Sequence, residues 1–143
     1  MQRKEFIKSC GMACLGGALF ASMLEGCGST KMITGTIADS DLVLPVSAFL
    51  TKDNKYRKYV VVQHEQLKYP ICLYRFGPDQ YSALLMRCTH QGTELQVFGE
   101  RLQCPAHGSE FTNKGVAKNG PADTNLRNFP VTIKNNQINI SLK

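Results

Sequence analysis

Beyond residue 41 the apolar positions either alternate with polar ones or gather in short runs, and neither arrangement carries the 3.6-residue period of a long amphipathic helix. Leu42 to Phe49 is one such run. Lys58-Tyr59-Val60-Val61-Val62-Gln63-His64 is β-branched through its middle and predicts a central strand. Tyr69 to Phe76 predicts another, Gly77-Pro78-Asp79-Gln80 a turn, and Tyr81 to Arg87 a third strand that delivers the chain to Cys88. Glu94 to Phe98 and Glu100 to Gln103 flank Gly99, which predicts a hairpin between His90 and Cys104. Phe129 to Lys134 and Gln137 to Leu142 bracket Asn135-Asn136, a pair that tolerates the positive φ angles of a tight hairpin turn. The pattern predicts an all-β domain over residues 42–143, built of stacked antiparallel sheets.

The first 41 residues read differently. Arg3, Lys4 and Lys8 precede a weakly hydrophobic stretch from Ser9 to Leu24, the n-region and h-region of an export signal over residues 1–26. The stretch ends at Glu25 and is short for a helix that must cross a bilayer with about 20 apolar residues. Arg3-Lys4-Glu5-Phe6-Ile7-Lys8 resembles a twin-arginine signal with lysine in place of the second arginine. Leu24-Glu25-Gly26-Cys27 resembles a lipobox, which marks Cys27 as the candidate lipidation site. Residues 27–41 are polar and contain glycine, as expected of a tether.

At 143 residues there is room for one domain and one function, with no second catalytic domain. The formal charge of +6 falls by only one when residues 1–26 are removed, so the remaining chain stays basic. A moderate positive charge suits docking to anionic headgroups or to an acidic redox partner. No Lys/Arg tract interleaved with aromatics and no nucleic-acid motif is present, so nucleic acid is not an expected partner. Lys52, Lys55, Arg57 and Lys58 form a local basic run, expected as a solvated turn before a strand. Tyr56, Tyr59, Tyr69, Tyr74 and Tyr81 are expected as sheet and core material, and His64 as a strand histidine without a metal-binding partner. Cys10, Cys14 and Cys27 lie in or beside the signal, and Cys72 reads as a buried strand thiol, so no disulfide is expected.

Candidate chemistry is concentrated in Cys88-Thr89-His90-Gln91-Gly92 and Cys104-Pro105-Ala106-His107-Gly108-Ser109. A Cys-x-His pair, thirteen residues and a Cys-x-x-His pair bring two thiolates and two imidazoles together when the intervening hairpin folds back. Four such donors could hold a structural zinc ion or a two-iron cluster with sulfide bridges. Zinc does not account for glycine so close to each ligand pair. A sulfide-bridged cluster does, because it needs backbone N–H and hydroxyl donors aimed at sulfur from tight loops.

The bipartite pattern resembles the Rieske iron–sulfur proteins. That resemblance implies a [2Fe-2S] cluster held by Cys88 and Cys104 on one iron and by His90 and His107 on the other, with the loop pair at one end of the sheets. It implies a potential within roughly −150 to +300 mV, because neutral imidazoles replace two anionic thiolates. In the quinol-oxidising members each loop carries a further cysteine, and the two form a disulfide; Thr93 and Ala106 stand at those positions here. Ser109 matches the serine that hydrogen-bonds a bridging sulfide, and Phe111 stands where those members place a tyrosine hydroxyl against a ligand sulfur. Gly120-Pro121-Ala122 resembles the proline loop that lids the cluster. The implied function is one-electron transfer by an exported, membrane-tethered protein on the periplasmic or extracytoplasmic side, such as the iron–sulfur subunit of a quinol-oxidising or other respiratory complex, as a carrier and not a site of substrate chemistry. Its partner would be a redox protein or membrane quinol, with His107 as the quinol contact. A free-standing ferredoxin-like donor and a structural zinc lipoprotein are the alternatives.

Overall fold

The computed structural model describes residues 29–143, and these form three β-sheets. The signal expected over 1–26 and the candidate lipidation site Cys27 lie outside the described residues. The strands are β1 (Met32–Thr34), β2 (Thr36–Ala38), β3 (Asp41–Pro45), β4 (Tyr59–Gln63), β5 (Ile71–Gly77), β6 (Gln80–Leu85), β7 (Gln96–Phe98), β8 (Arg101–Gln103), β9 (Glu110–Thr112), β10 (Ala117–Asn119), β11 (Asn128–Phe129), β12 (Val131–Lys134) and β13 (Gln137–Ser141). A five-stranded sheet runs β1-β4-β5-β6-β11, a four-stranded sheet β10-β9-β8-β7, and a second four-stranded sheet β12-β13-β3-β2.

The five-stranded sheet lies between the other two, and the alternation of side chains along a strand divides it between two cores. Val61, Cys72, Tyr74 and Leu84 face one core together with Leu95, Leu102, Phe111, Cys88 and Cys104. Val60, Val62, Leu73 and Ala83 face the other, where Leu42, Leu44, Ile138 and Ile140 meet them. Burial on both faces explains why β4 reads as an unbroken apolar run. The expected meander β4-β5-β6 is antiparallel, with Val61 opposite Cys72 and Cys72 opposite Leu84. Asn135 and Asn136 have φ of 51° and 59° and close the final hairpin as expected.

Three expectations need correction. Residues 27–41 are not a tether throughout: β1 pairs in parallel with β4, Met32 opposite Val61, and β2 pairs with β3. At three residues each, these strands are too short to show an alternation, and they are held by ladders to β4 and β3. Gly35 joins them where a Cβ would lie 2.6 Å from Leu42 Cδ1. The run Leu42 to Phe49 leaves the extended state after Pro45 and ends as a 3-10 turn over Val46–Phe49. The expected strand from Phe129 to Lys134 divides at Pro130, which has no N–H to give a ladder: β11 pairs with β6 and β12 with β13. Strands β9 and β10 had no counterpart in the sequence pattern.

Candidate metal centre

The hairpin β7-β8 is formed as expected, with Gln96 opposite Gln103 and Gly99 in its turn at φ 59°. It brings two loops of the same backbone design side by side. In the first, the Cys88 N–H donates to Thr93 O at 2.8 Å and the Gly92 N–H to Cys88 O at 2.8 Å. In the second, the Cys104 N–H donates to Ser109 O at 2.8 Å and the Gly108 N–H to Cys104 O at 3.0 Å. Gly92 and Gly108 both sit at φ 79°, a left-handed conformation that disfavours any side chain and fixes why glycine stands there.

Cys88 and Cys104 are each 1 % exposed and belong to the core beneath the loops. His90 and His107 are exposed, with ring centroids 5.1 Å apart and planes at 87°. The donors therefore form a buried sulfur pair and a surface nitrogen pair. Among the described residues no three His, Cys, Asp or Glu side chains are close enough to share one ion. Burial opposes ionisation of Cys104. The backbone N–H groups of His107 and Ala106, with the side chains of Cys88 and Thr93, act the other way and hold its pKa below the ordinary thiol value. N–H donors aimed at a buried sulfur are what a negatively charged iron–sulfur group requires.

Ser109 is fully buried, and its Oγ accepts the Ala122 N–H at 3.0 Å, which leaves the hydroxyl proton free to donate. Ala122 is buried, whereas Gly120 and Pro121 are exposed and joined by a cis peptide bond. Thr89 Oγ1 donates to Thr124 O at 2.7 Å, so the segment 120–124 is fastened to both cysteine loops. Phe111 is fully buried in the same core as both cysteines.

Two contributors were missed by the sequence reading. Tyr69, expected as sheet and core material, donates its hydroxyl to Gly92 O at 2.8 Å and pins the first loop. Thr89 was read only as a spacer. Neither has a sequence signal, since both bonds join residues more than twenty positions apart. Tyr74 likewise donates to Gly99 O at 2.9 Å, bracing the hairpin turn. His64 lies apart from the loops, and its Nδ1 accepts the Gln66 N–H at 3.1 Å, as suits a hydrogen-bonded histidine. Cys72 is a buried strand thiol, and Cys72, Cys88 and Cys104 are all free.

A buried sulfur pair, an exposed imidazole pair and a buried hydroxyl fit an iron–sulfur group with ligands divided between two metal positions. The Rieske [2Fe-2S] domain matches residues 42–130. The chain is 36 % identical over 72 residues to the oxygenase component of dicamba O-demethylase from Stenotrophomonas maltophilia, a match covering 43 % of this chain and 21 % of that one. It thus spans about a fifth of the length of that curated relative. A chain of a hyperthermophilic respiratory Complex III has the same fold, at 22 % identity and TM-score 0.51, over 96 % of this chain and 99 % of that one. The ferredoxin of carbazole 1,9a-dioxygenase from Nocardioides aromaticivorans shares the fold at 17 % identity and TM-score 0.51, over 71 % and 95 % of the two chains.

The protein belongs to the Rieske [2Fe-2S] domain family. Its cofactor is accordingly a [2Fe-2S] cluster, and its domain is of the electron-transfer kind.

Proposed function

We propose that this chain transfers single electrons through a [2Fe-2S] cluster held by Cys88 and Cys104 at the buried position and by His90 and His107 at the surface. The observation that carries this reading is the division of the donors, cysteines 1 % exposed and histidines exposed, on two loops of matching hydrogen bonds. The bound cluster supplies a one-electron couple whose potential is raised by the two neutral ligands. The core around Cys88 and Cys104 excludes water from the sulfur side, and the N–H groups around Cys104 stabilise negative charge there. His90 and His107, both exposed, provide the exchange surface. Ser109 offers a hydroxyl proton inward, and residues 120–122 cover the site as a lid fastened through Ala122.

The same proposal places the chain outside the cytoplasm, with residues 1–26 as a removable signal and lipidated Cys27 as the membrane anchor. With Met32 already in a strand, the tether reduces to residues 27–31. The partner is a redox protein or a membrane quinol, and for quinol His107 is the proposed contact. Thr93 and Ala106 stand where the disulfide of quinol-oxidising relatives would be, which favours general electron transfer, including a ferredoxin-like donor role.

Metal analysis and EPR of the dithionite-reduced protein test the centre. Two irons with two acid-labile sulfides per chain and a signal that appears on reduction are expected for a [2Fe-2S] group. A colourless, EPR-silent protein with stoichiometric zinc overturns the proposal. The anchor is tested by Cys27→Ser, which is released from membranes washed at high salt, where surface electrostatics are screened; retention of that variant after the wash counts against a lipid anchor.

A further inference from the structure

The chain enters the domain at the end remote from the cysteine loops. Val61 donates its N–H to Lys31 O at 2.9 Å, and Thr30 Oγ1 lies 3.4 Å from the Tyr59 hydroxyl, so the segment before β1 lies beside the start of β4. β4 and β6 run in the same direction, each antiparallel to β5 between them, and β6 continues into Cys88 beyond their far ends. Ser82, opposite Tyr74 near the entry end, is six residues before Cys88, a separation of roughly 20 Å at the rise of a β-strand. The tip of the β7-β8 hairpin confirms the polarity: Gly99 meets Tyr74 and Glu100 meets Lys58 at the entry end, whereas Gln96 and Gln103 adjoin the loops.

The basic run collects at this entry end. Arg57 donates its N–H to Phe49 O, and Arg75 donates its N–H to Lys58 O while its guanidinium lies 3.9 Å from the Tyr56 ring. These contacts fix the loop with Lys52 and Lys55, both exposed, at the start of β4 next to Lys58. Lys58 pairs with Glu100 at 3.4 Å; Asp53 and Asp79 are the other carboxylates nearby, and no ion pair to Arg57 or Arg75 occurs among the described residues. Buried Nε atoms of both arginines have no acceptor. Tyr56, Phe76 and Phe98 are 49 %, 42 % and 50 % exposed at the same end. Cations in excess of the carboxylates, interspersed with exposed aromatic rings, match the chemistry of an anionic membrane–water interface.

We propose that this basic, aromatic end is a docking face for an anionic bilayer surface, which turns His90 and His107 toward the aqueous phase. The proposal deepens the electron-transfer reading and rests on it for its consequence: the partner is a water-exposed redox protein, and membrane quinol is not reached. Cys27 is five residues from Met32, so a lipid on Cys27 allows at most about 18 Å of chain between bilayer and β1, too little to turn the domain over freely.

The test uses the full chain carrying Cys27→Ser, loaded with its cluster, and phosphatidylcholine vesicles with or without phosphatidylglycerol. The further changes Lys52→Gln, Lys55→Gln and Lys58→Gln together are expected to weaken partitioning onto the anionic vesicles about 100-fold, near fivefold per lysine. Lys68→Gln, Lys118→Gln and Arg127→Gln, an equal charge change nearer the loops, leave it within about threefold. Equal losses from both sets, no loss from either, or no preference for anionic vesicles overturn the docking face; the last is the outcome if the basic end serves an acidic protein instead. A nickel-chelating lipid reports orientation by enhancing relaxation of the reduced-state EPR signal at short range. Little enhancement is expected in vesicle-bound protein, and strong enhancement overturns the outward orientation. Absence of any reduced-state signal is a failure of the cluster assignment, and the partition ratios are read independently of it.

Discussion

Replacing Ser109 with alanine removes one hydroxyl that has two separable duties. Its oxygen accepts the Ala122 N–H at 3.0 Å in a place where both residues are buried, so the variant leaves a buried donor without an acceptor. That costs about 1–3 kcal/mol, enough to lower the melting temperature by several degrees. Its proton is the part proposed to face the cluster. A hydrogen bond to a charged acceptor is worth about 1.5–3 kcal/mol, but only the portion gained on reduction shifts the potential, at roughly 40 mV per kcal/mol for one electron. Ser109→Ala is therefore expected to lower both the melting temperature and the midpoint potential, the latter by tens of millivolts. Calorimetry and protein-film voltammetry on the same preparation read the two effects separately. An unchanged potential with a lowered melting temperature refutes the donor role and leaves Ser109 as an anchor for the segment around Ala122. No change in either refutes the structural role as well.

The reciprocal change, Phe111→Tyr, adds a hydroxyl in the same core and is expected to raise the midpoint potential; no change or a fall counts against that role. Tyr69→Phe deletes the bond to Gly92 O and is expected to destabilise the domain by about 1 kcal/mol and to speed loss of the visible cluster spectrum under a chelator; an unchanged rate would show that the first loop holds without it. Burial pushes the Cys72 thiol up from 9.0 to about 12, with the Tyr74 hydrogen bond acting in the opposite direction. A raised folded-state pKa gives stability that is complete below pH 9 and is lost between about pH 9 and 12, a few kcal/mol in all. The change in unfolding free energy between wild type and Cys72→Ala is expected to shrink across that window, and a pH-independent difference contradicts it.

The sequence by itself determined the chemistry and most of the strands. The two Cys/His motifs, the glycine after each, and the hairpin around Gly99 are local, because turn conformations and short spacings are written in contiguous residues. So are the Asn135-Asn136 turn and the alternation along β4 to β6. Short strands were less legible: β1, β2, β9 and β10 are three residues each, and their stability comes from ladders to other parts of the chain. Pro130 was visible, but the transfer of the chain between two sheets at that point depends on where β6 and β13 lie. Tertiary structure alone decided that Tyr69 and Thr89 brace the first loop and that Ser109 holds Ala122, since each bond joins residues 13 to 35 positions apart. It also decided polarity: the parallel pairing of β1 with β4 puts the entering chain and the basic loop at one end and the exposed histidines at the other. Residue order identifies which groups are present, but the direction in which they face follows from strand pairing, which only the folded chain specifies.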